Sequence, residues 1–458
     1  MVRLAIFFSV FPHWGESGLI HSSERKGTTM KLLAPKFVVL PFVVAVAALS
    51  VSTAPSQASS AHAGGTALAS TQYAYQGDAY GTKVNIANTV TSGPSAPVVL
   101  PCGTTAGIHL TNTAAGVSLP PLLSTGTIDT TADTLASPTK TKTSATVQNL
   151  SLLNLPVTGG VITATEVRSV SSTSHDGSGF HTSATGTSFT SLRVAGVDIT
   201  GTVAPNTQIN LVGFGYVVLN EQIGHIGTTS ASLTVNAVHV VINQSNALGI
   251  AVGTNVIVAH ARSALQGPVA GTLDGFAYGS RAKLGSVVTS GPSFRVVLPC
   301  LGTNGNLKVN DGVGISVPGV LVTGDIHNTA QGTINGSAAS GETTSTVDSA
   351  NVVSGLVQAT VIKADAHAST DGTTFTFSDA GSSFATLSVQ GFPAIDENVP
   401  ANTKLNIAGL GTLWLHRVIH NPNSIEVRMI ELIVTHSNTL GLPVGSDIQV
   451  AVAHASAH

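Results

Sequence analysis

The sequence predicts an all-β protein: two tandem homologous domains, each sandwich- or barrel-like, after an N-terminal signal segment. Three observations carry this prediction: a long internal repeat, β-branched runs separated by turn residues, and a composition that disfavours helices. Charged residues make up 9% of the chain, against about 25% in typical soluble domains. Exposed helix faces draw on Glu, Lys, Gln and Arg, whereas abundant Val and Thr suit pleated sheets.

The internal repeat extends over most of the chain. The pentapeptide VVLPC at 98–102 recurs at 296–300, an offset of 198 residues. Further on, SNALGIAVG at 245–253 is matched by SNTLGLPVG at 437–445. The offset drifts because loops gain and lose residues more readily than strands do. A period of this length predicts a duplicated domain, since solenoid repeats are only about 20–50 residues long.

The repeat sets the domain boundaries that we predict. The first copy covers residues 72–262 and the second covers 271–458, with 263–270 as a linker that contains Gly267 and Pro268. Each copy is long enough to enclose a core of its own. The β-branched runs at 233–242 and 425–434 predict long strands. Turn residues between such runs indicate a sandwich or a barrel, and the strand topology stays open.

Residues 1–63 are predicted to be an N-terminal extension plus a signal peptide. From Met30 onward, basic residues precede an apolar run at 37–49, and cleavage sites follow after Ala58 or Ala63. The run is shorter than the roughly 18–20 residues that span a bilayer, so we favour a cleaved signal over an anchor and take Met30 as the true start. We expect a secreted, extracellular protein without membrane attachment after cleavage.

Charge and motifs argue against several classes of function. The formal net charge is −3, and the basic residues are scattered along the chain. Nucleic-acid binding needs a basic stripe. The histidines show no H-E-x-x-H or H-x-H pattern for a metal. Gly213-Phe-Gly215 lacks the third glycine of a dinucleotide site. Glu221 is isolated, and its counterpart in the second copy is Arg417. We therefore predict no catalytic, cofactor or metal site.

Cys102 and Cys300 are the only cysteines, and they occupy matching positions in the two copies. A disulfide between them needs Cα atoms within about 7 Å, which we do not expect of equivalent sites in tandem domains. We therefore favour two buried thiols beside prolines. A bridge between the copies and a nucleophilic role remain the alternatives.

Four recurring side chains are the candidate binding residues. Tyr80 and Tyr278 recur, each followed by glycine, and His260 and His454 recur within the tetrapeptide VAHA. A core role is the competing interpretation for the tyrosines. For the histidines it is a structural role at the end of a strand.

The repeated motifs resemble those of the choice-of-anchor P family. They are VVLPC, Asn-Thr followed by G-x-G, the strand LTVNAVH, and the closing motif L-G…V-G. The resemblance covers both copies and implies exported, surface-associated bacterial proteins of unassigned activity, with no catalytic residues to carry over. The second copy departs from the pattern at 415–418, where LHRV replaces the LNEQ of 219–222.

These observations predict a secreted, non-catalytic structural or binding protein of the bacterial cell envelope, with an envelope or extracellular partner. The alternative is a carbohydrate-binding or adhesion protein that uses Tyr80 and Tyr278. An enzyme with an unfamiliar site comes third, and it requires residues such as His260 and His454 to converge in a cleft.

Overall fold

The structure is a computed structural model that describes residues 68–86, 90–92, 94–156, 159–284 and 287–458. This part of the chain consists of β-strands and connecting turns and contains no helix, so the all-β prediction is confirmed. Accordingly, within these ranges no helix has the length and apolar character needed to cross a bilayer. The predicted signal segment, 1–63, lies outside the described residues.

The strands of the first copy run from the start of the described chain to Gln266. They are β1 Ala69–Ile86, β2 Val90–Ser92, β3 Val98–Ala106, β4 His109–Ala114, β5 Ser118–Leu119, β6 Leu123–Ser124, β7 Ile128–Ala136, β8 Thr139–Leu155, β9 Gly159–His175, β10 Phe180–Ser183, β11 Ser188–Thr190, β12 Arg193–Val194, β13 Val197–Asp198, β14 Thr207–Leu211, β15 Gly215–Ile226, β16 Ser230–Ile242 and β17 Asn255–Gln266.

The strands of the second copy follow after a short connection. They are β18 Leu273–Leu284, β19 Val287–Ser290, β20 Val296–Leu298, β21 Lys308–Gly312, β22 Ser316–Val317, β23 Leu321–Thr323, β24 Ile326–Asn335, β25 Ala338–Val352, β26 Val357–Thr370, β27 Phe375–Ser378, β28 Thr386–Val389, β29 Thr403–Ile407, β30 Gly411–Asn421, β31 Ser424–Val434 and β32 Asp447–Ala457.

Both copies assemble their sheets in the same way. In the first copy, the first three and last four strands form the seven-stranded sheet I, and the ten strands between them form sheet II. The second copy repeats this with the seven-stranded sheet III and the eight-stranded sheet IV. Sheets I and III share one order, β14-β15-β16-β17-β1-β2 and β29-β30-β31-β32-β18-β19. The repeat in the sequence is therefore also a repeat of topology.

Each copy encloses its own hydrophobic core between its two sheets. Val217 of sheet I and Val147 of sheet II are both fully buried in the core of the first copy. Leu413 of sheet III and Val347 of sheet IV are likewise fully buried in the core of the second copy. Successive side chains of a strand point to opposite faces, so the β-branched runs bury one face and leave the other for polar residues.

The connection between the copies is shorter than the sequence predicts. Strand β17 continues to Gln266 and so includes the first four residues of the predicted linker, and β18 begins at Leu273. Strand β1 begins at Ala69, three residues before the predicted boundary. Ser263, the first linker residue, is fully buried and bonded to Ser171 and Thr173 of sheet II.

A row of unpaired residues crosses each seven-stranded sheet. Ladder pairing skips Gly81, Asn220, Ala237 and Ala259 in sheet I. It skips their equivalents Gly279, His416, Met429 and Ala451 in sheet III. Two residues of each row have left-handed backbones, with φ of 50° and 51° in sheet I and 46° and 49° in sheet III. These rows align the two copies residue by residue.

Candidate functional site

Two of the predicted binding residues, Tyr80 and His260, lie directly opposite each other in sheet I. Tyr80 on β1 pairs with His260 on β17, immediately beside the unpaired row. Their rings stack with centroids 4.3 Å apart and planes 11° from parallel. His260 is buried, at 8% exposure, because Tyr80 covers one face of its ring.

A chain of hydrogen bonds extends from His260 across the sheet. Its Nε2 lies 3.1 Å from Asp78 Oδ2, and its Nδ1 lies 2.6 Å from Asn236 Oδ1 on β16. Asn236 in turn donates to Glu221 Oε2 on β15, at 2.6 Å. The chain joins four neighbouring strands side to side. We call these four residues with His239, described next, the polar chain.

The polar chain ends in an ion pair on β15 and β16. His239 Nδ1 lies 3.0 Å from Glu221 Oε2, and His239 Nε2 lies 3.3 Å from Asn255 Oδ1. Asn255 Nδ2 donates to the carbonyl of Gly253, so its Oδ1 faces His239 as an acceptor. Both ring nitrogens thus face acceptors, an arrangement that an imidazolium satisfies by donating from both.

The electrostatics follow from these contacts. The hydrogen bond from His239 lowers the pKa of Glu221, and the same bond raises the pKa of His239. Burial alone would raise the pKa of Asp78, but the hydrogen bond and charge of His260, with the charge of Arg262, lower it overall. Burial raises the pKa of Tyr80 above its usual range. The contacts therefore favour the ionised forms of Asp78, Glu221 and His239.

The second copy has different residues at the equivalent positions. Tyr278 is buried at 5% exposure, donates to Gln449 Oε1 at 2.5 Å, and has a pKa raised by burial to about 12. Opposite it, Val452 stands where the first copy has His260. The predicted tyrosines therefore occupy equivalent places, whereas the partner of the ring differs.

The ion pair has the opposite polarity in the two copies. Counting from the unpaired rows, Glu221 corresponds to Arg417 and His239 corresponds to Glu431. In the second copy, the buried Glu431 binds both Arg417 and Arg428. In the first copy the acid lies on β15 and the base on β16. In the second copy the base lies on β30 and the acid on β31.

His454 does not correspond to His260 in the fold. The left-handed residues Ala259 and Ala451 align the two last strands, so His454 matches Arg262, two positions further on. His454 stacks on Phe276 with centroids 5.0 Å apart. Its Nδ1 is buried without a hydrogen-bond partner among the described residues, and burial lowers the pKa of His454.

The expectation of two separate thiols is wrong, because Cys102 and Cys300 form a disulfide with Cα atoms 5.5 Å apart. Both are buried and pack against Ala74 and Val269. Equivalent strands β2 and β19 also lie against each other. Equivalent segments of the two copies therefore meet at the bridge, and this brings equivalent cysteines together.

Part of this site is predictable from the sequence. The recurrence of Tyr80 and His260 predicts both as binding residues, and both lie in one network in the structure. Asp78, Asn236 and His239 were missed, and Glu221 was set aside as isolated. The available signal was the alternation of polar residues Gln76, Asp78 and Tyr80 in β1, which indicates one polar face. The pairing of that face with β17 and β16 requires long-range register.

The described residues contain no group of three or more His, Cys, Asp or Glu side chains able to hold a metal ion. Comparison of the chain with protein-family models, curated proteins and solved structures found no match.

Proposed function

We propose that this chain is an exported structural or binding protein of a bacterial cell envelope, and that it performs no catalysis. The disulfide between Cys102 and Cys300 carries the proposal, because disulfides persist in oxidising compartments outside the cytoplasm. The signal-like sequence from Met30 and the resemblance to the choice-of-anchor P family support the same location.

The state of the polar groups supports the non-catalytic part of the proposal. In the polar chain, His260 binds Asp78 and Asn236, and Glu221 binds Asn236 and His239. A general acid or base has to reach a substrate proton directly or through one water, whereas these groups are directed at one another. Their arrangement suits cross-strand bracing of sheet I.

The surroundings of Tyr80 and Tyr278 do not support the alternative of a carbohydrate site at these residues. Tyr278 is buried and bonded to Gln449, and one face of Tyr80 is covered by His260. A sugar platform needs an accessible ring face. Tyr278 therefore offers no such face, and the stack with His260 leaves Tyr80 with one face at most.

Intact-mass analysis of the protein from the producing bacterium tests the proposal. We expect the chain outside the cytoplasm, beginning after Ala58 or Ala63. Under denaturing, non-reducing conditions its cysteines should resist alkylation, and reduction should expose two thiols. A cytoplasmic chain that retains Trp14 and reacts at both cysteines without reduction would refute the proposal.

A further inference from the structure

A short segment at the start of β1 covers the disulfide between the copies. Cys102 and Cys300 are each 1% exposed, and so is Ala74 of β1, which packs against them together with Val269. A thiolate has to reach one of the sulfur atoms before it can exchange with a disulfide. The bridge is therefore inaccessible to thiols while this packing is intact. We call residues 69–74 the cover segment.

The cover segment has fewer backbone partners than the rest of β1. Pairing with β17 begins only at Ala74. Pairing with β3 includes Ala69 and Ser70 and is then interrupted until Tyr75. Residues 71–73 therefore have no ladder partner on either neighbouring strand, and side chains and a loop have to hold this part of the segment in place.

The strongest of these attachments is the side chain of Tyr73. Its Oη donates to His175 Nδ1 at 3.0 Å, and the N–H of Gly177 donates to the same nitrogen, which is therefore an acceptor. The ring of Tyr73 lies 4.9 Å from that of His175 and meets the ring of Phe180 edge-on at 6.2 Å. Tyr73 thus fastens the cover segment to sheet II, where β9 ends and β10 begins.

Two further hydrogen bonds attach the cover segment to its surroundings. The N–H of Val269 donates to the carbonyl of Gln72 at 2.7 Å, and Thr71 Oγ1 donates to the carbonyl of Thr104 at 3.3 Å. Val269 also packs on the bridge, so its bond to Gln72 joins the two parts of the covering. Segments held by few, local contacts open with a free energy below that of global unfolding.

We propose that release of the cover segment, with both copies still folded, gives a dithiol reductant access to the bridge. A thiolate of the reductant attacks the Sγ of Cys102 or Cys300, the S–S bond breaks, and the other cysteine leaves as a thiolate. The second thiol of the reductant then closes on the mixed disulfide. Two electrons pass from the dithiol to the bridge, and its two protons pass through solvent to the freed cysteines. The start of the first copy thereby controls the bond that joins the copies.

Reduction kinetics of the full mature protein with dithiothreitol test this proposal. Freed thiols are counted by alkylation and mass spectrometry, at several urea concentrations below the unfolding transition. Tyr73→Ala is the cover variant, and Thr71→Ala is a milder one that removes a single side-chain bond. Tyr216→Ala is the matched control, because Tyr216 is also a partly buried tyrosine of sheet I but lies on β15, which β16 and β17 separate from β1.

We expect Tyr73→Ala to accelerate reduction by about tenfold, because it removes a hydrogen bond and two ring contacts that hold the cover segment. Thr71→Ala should accelerate it by about threefold, and Tyr216→Ala by less than about twofold, since its effect is on global stability. Urea should change the wild-type rate little, because local release exposes little surface.

An unchanged rate for Tyr73→Ala, or equal acceleration by Tyr73→Ala and Tyr216→Ala, would overturn the inference. So would a urea dependence as steep as that of global unfolding, because reduction would then require the copy to unfold. Wild-type reduction as fast as that of the unfolded chain would show that the bridge is not covered. The inference concerns access to the bridge and does not depend on export, which is measured separately.

Discussion

At the scale of single residues, the two copies preserve an interaction rather than the amino acids that make it. Glu221 and His239 form an ion pair in sheet I, and Arg417 and Glu431 form the equivalent pair with reversed polarity. At a site with so little exposure, a charge without its partner destabilises the folded protein. Replacement of both partners therefore preserves the ion pair, whereas replacement of one leaves an unpaired charge.

The ion pair of the first copy makes stability depend on pH. The raised pKa of His239 contributes stability that is complete below its ordinary value of 6.5 and is lost as pH rises through the folded value. The lowered pKa of Glu221 contributes stability above its ordinary value of 4.5, lost as pH falls. The pair therefore stabilises most between these two values.

We predict that His239→Gln lowers the free energy of unfolding by about 1 kcal/mol at about pH 5.5, and by much less at about pH 8.5. Urea titrations at both values measure the difference. His225→Gln, at the exposed end of the neighbouring strand β15, is the control and should change stability little at either pH. An equal loss for His239→Gln at both values would contradict an ionic contribution.

At the scale of strands, the unpaired rows decide which side chains share a face. In β16, outward positions are two apart up to Asn236, and the next outward residue is His239, three positions on. This shift in phase brings His239 within reach of Glu221. The left-handed Ala259 and Ala451 in the last strands are unusual, because a residue with a Cβ pays about 1–2 kcal/mol for that conformation.

We predict that Ala451→Gly costs less stability than Ala453→Gly, by about 1–2 kcal/mol. Both alanines are fully buried in β32, and both substitutions remove one methyl group. Only Ala451 has a positive φ, of 49°, so only there does glycine relieve backbone strain. Chemical denaturation of the two variants gives the comparison, and equal costs would show that the row stores no strain.

Strand content and strand location were predictable from local sequence. The β-branched runs 233–242 and 425–434 lie within β16 and β31, because alternation and β-propensity are local properties. The left-handed positions were not predictable, since alanine carries no signal for positive φ. The predicted match of His260 with His454 was wrong. Only the unpaired rows show that His454 matches Arg262, two residues further along the strand.

At the scale of the whole molecule, the disulfide joins two separately closed cores. Cys102 and Cys300 are 198 residues apart in sequence, and the contact between them depends on how finished domains pack. Spacing alone therefore could not predict the bridge.

We predict that Cys102→Ser with Cys300→Ser lowers stability by about 2–5 kcal/mol, since the bridge closes a very long loop in the unfolded chain. Differential scanning calorimetry should show earlier unfolding and a wider separation between the transitions of the two copies. Each single substitution should match the double variant, because either one breaks the same bond. An unchanged thermogram would mean that the packed surfaces hold the copies together without the bond.

The meeting of equivalent surfaces has a consequence for how this architecture arises. A self-complementary patch is what a lone copy uses to form a symmetric homodimer, and here Cys102 and Cys300 would be one cysteine paired with its own twin. The tandem chain thus holds in one polypeptide a contact between equivalent residues that a homodimer forms between two chains. Fusion frees the halves from having to be identical, and each can then specialise while its partner preserves the original design.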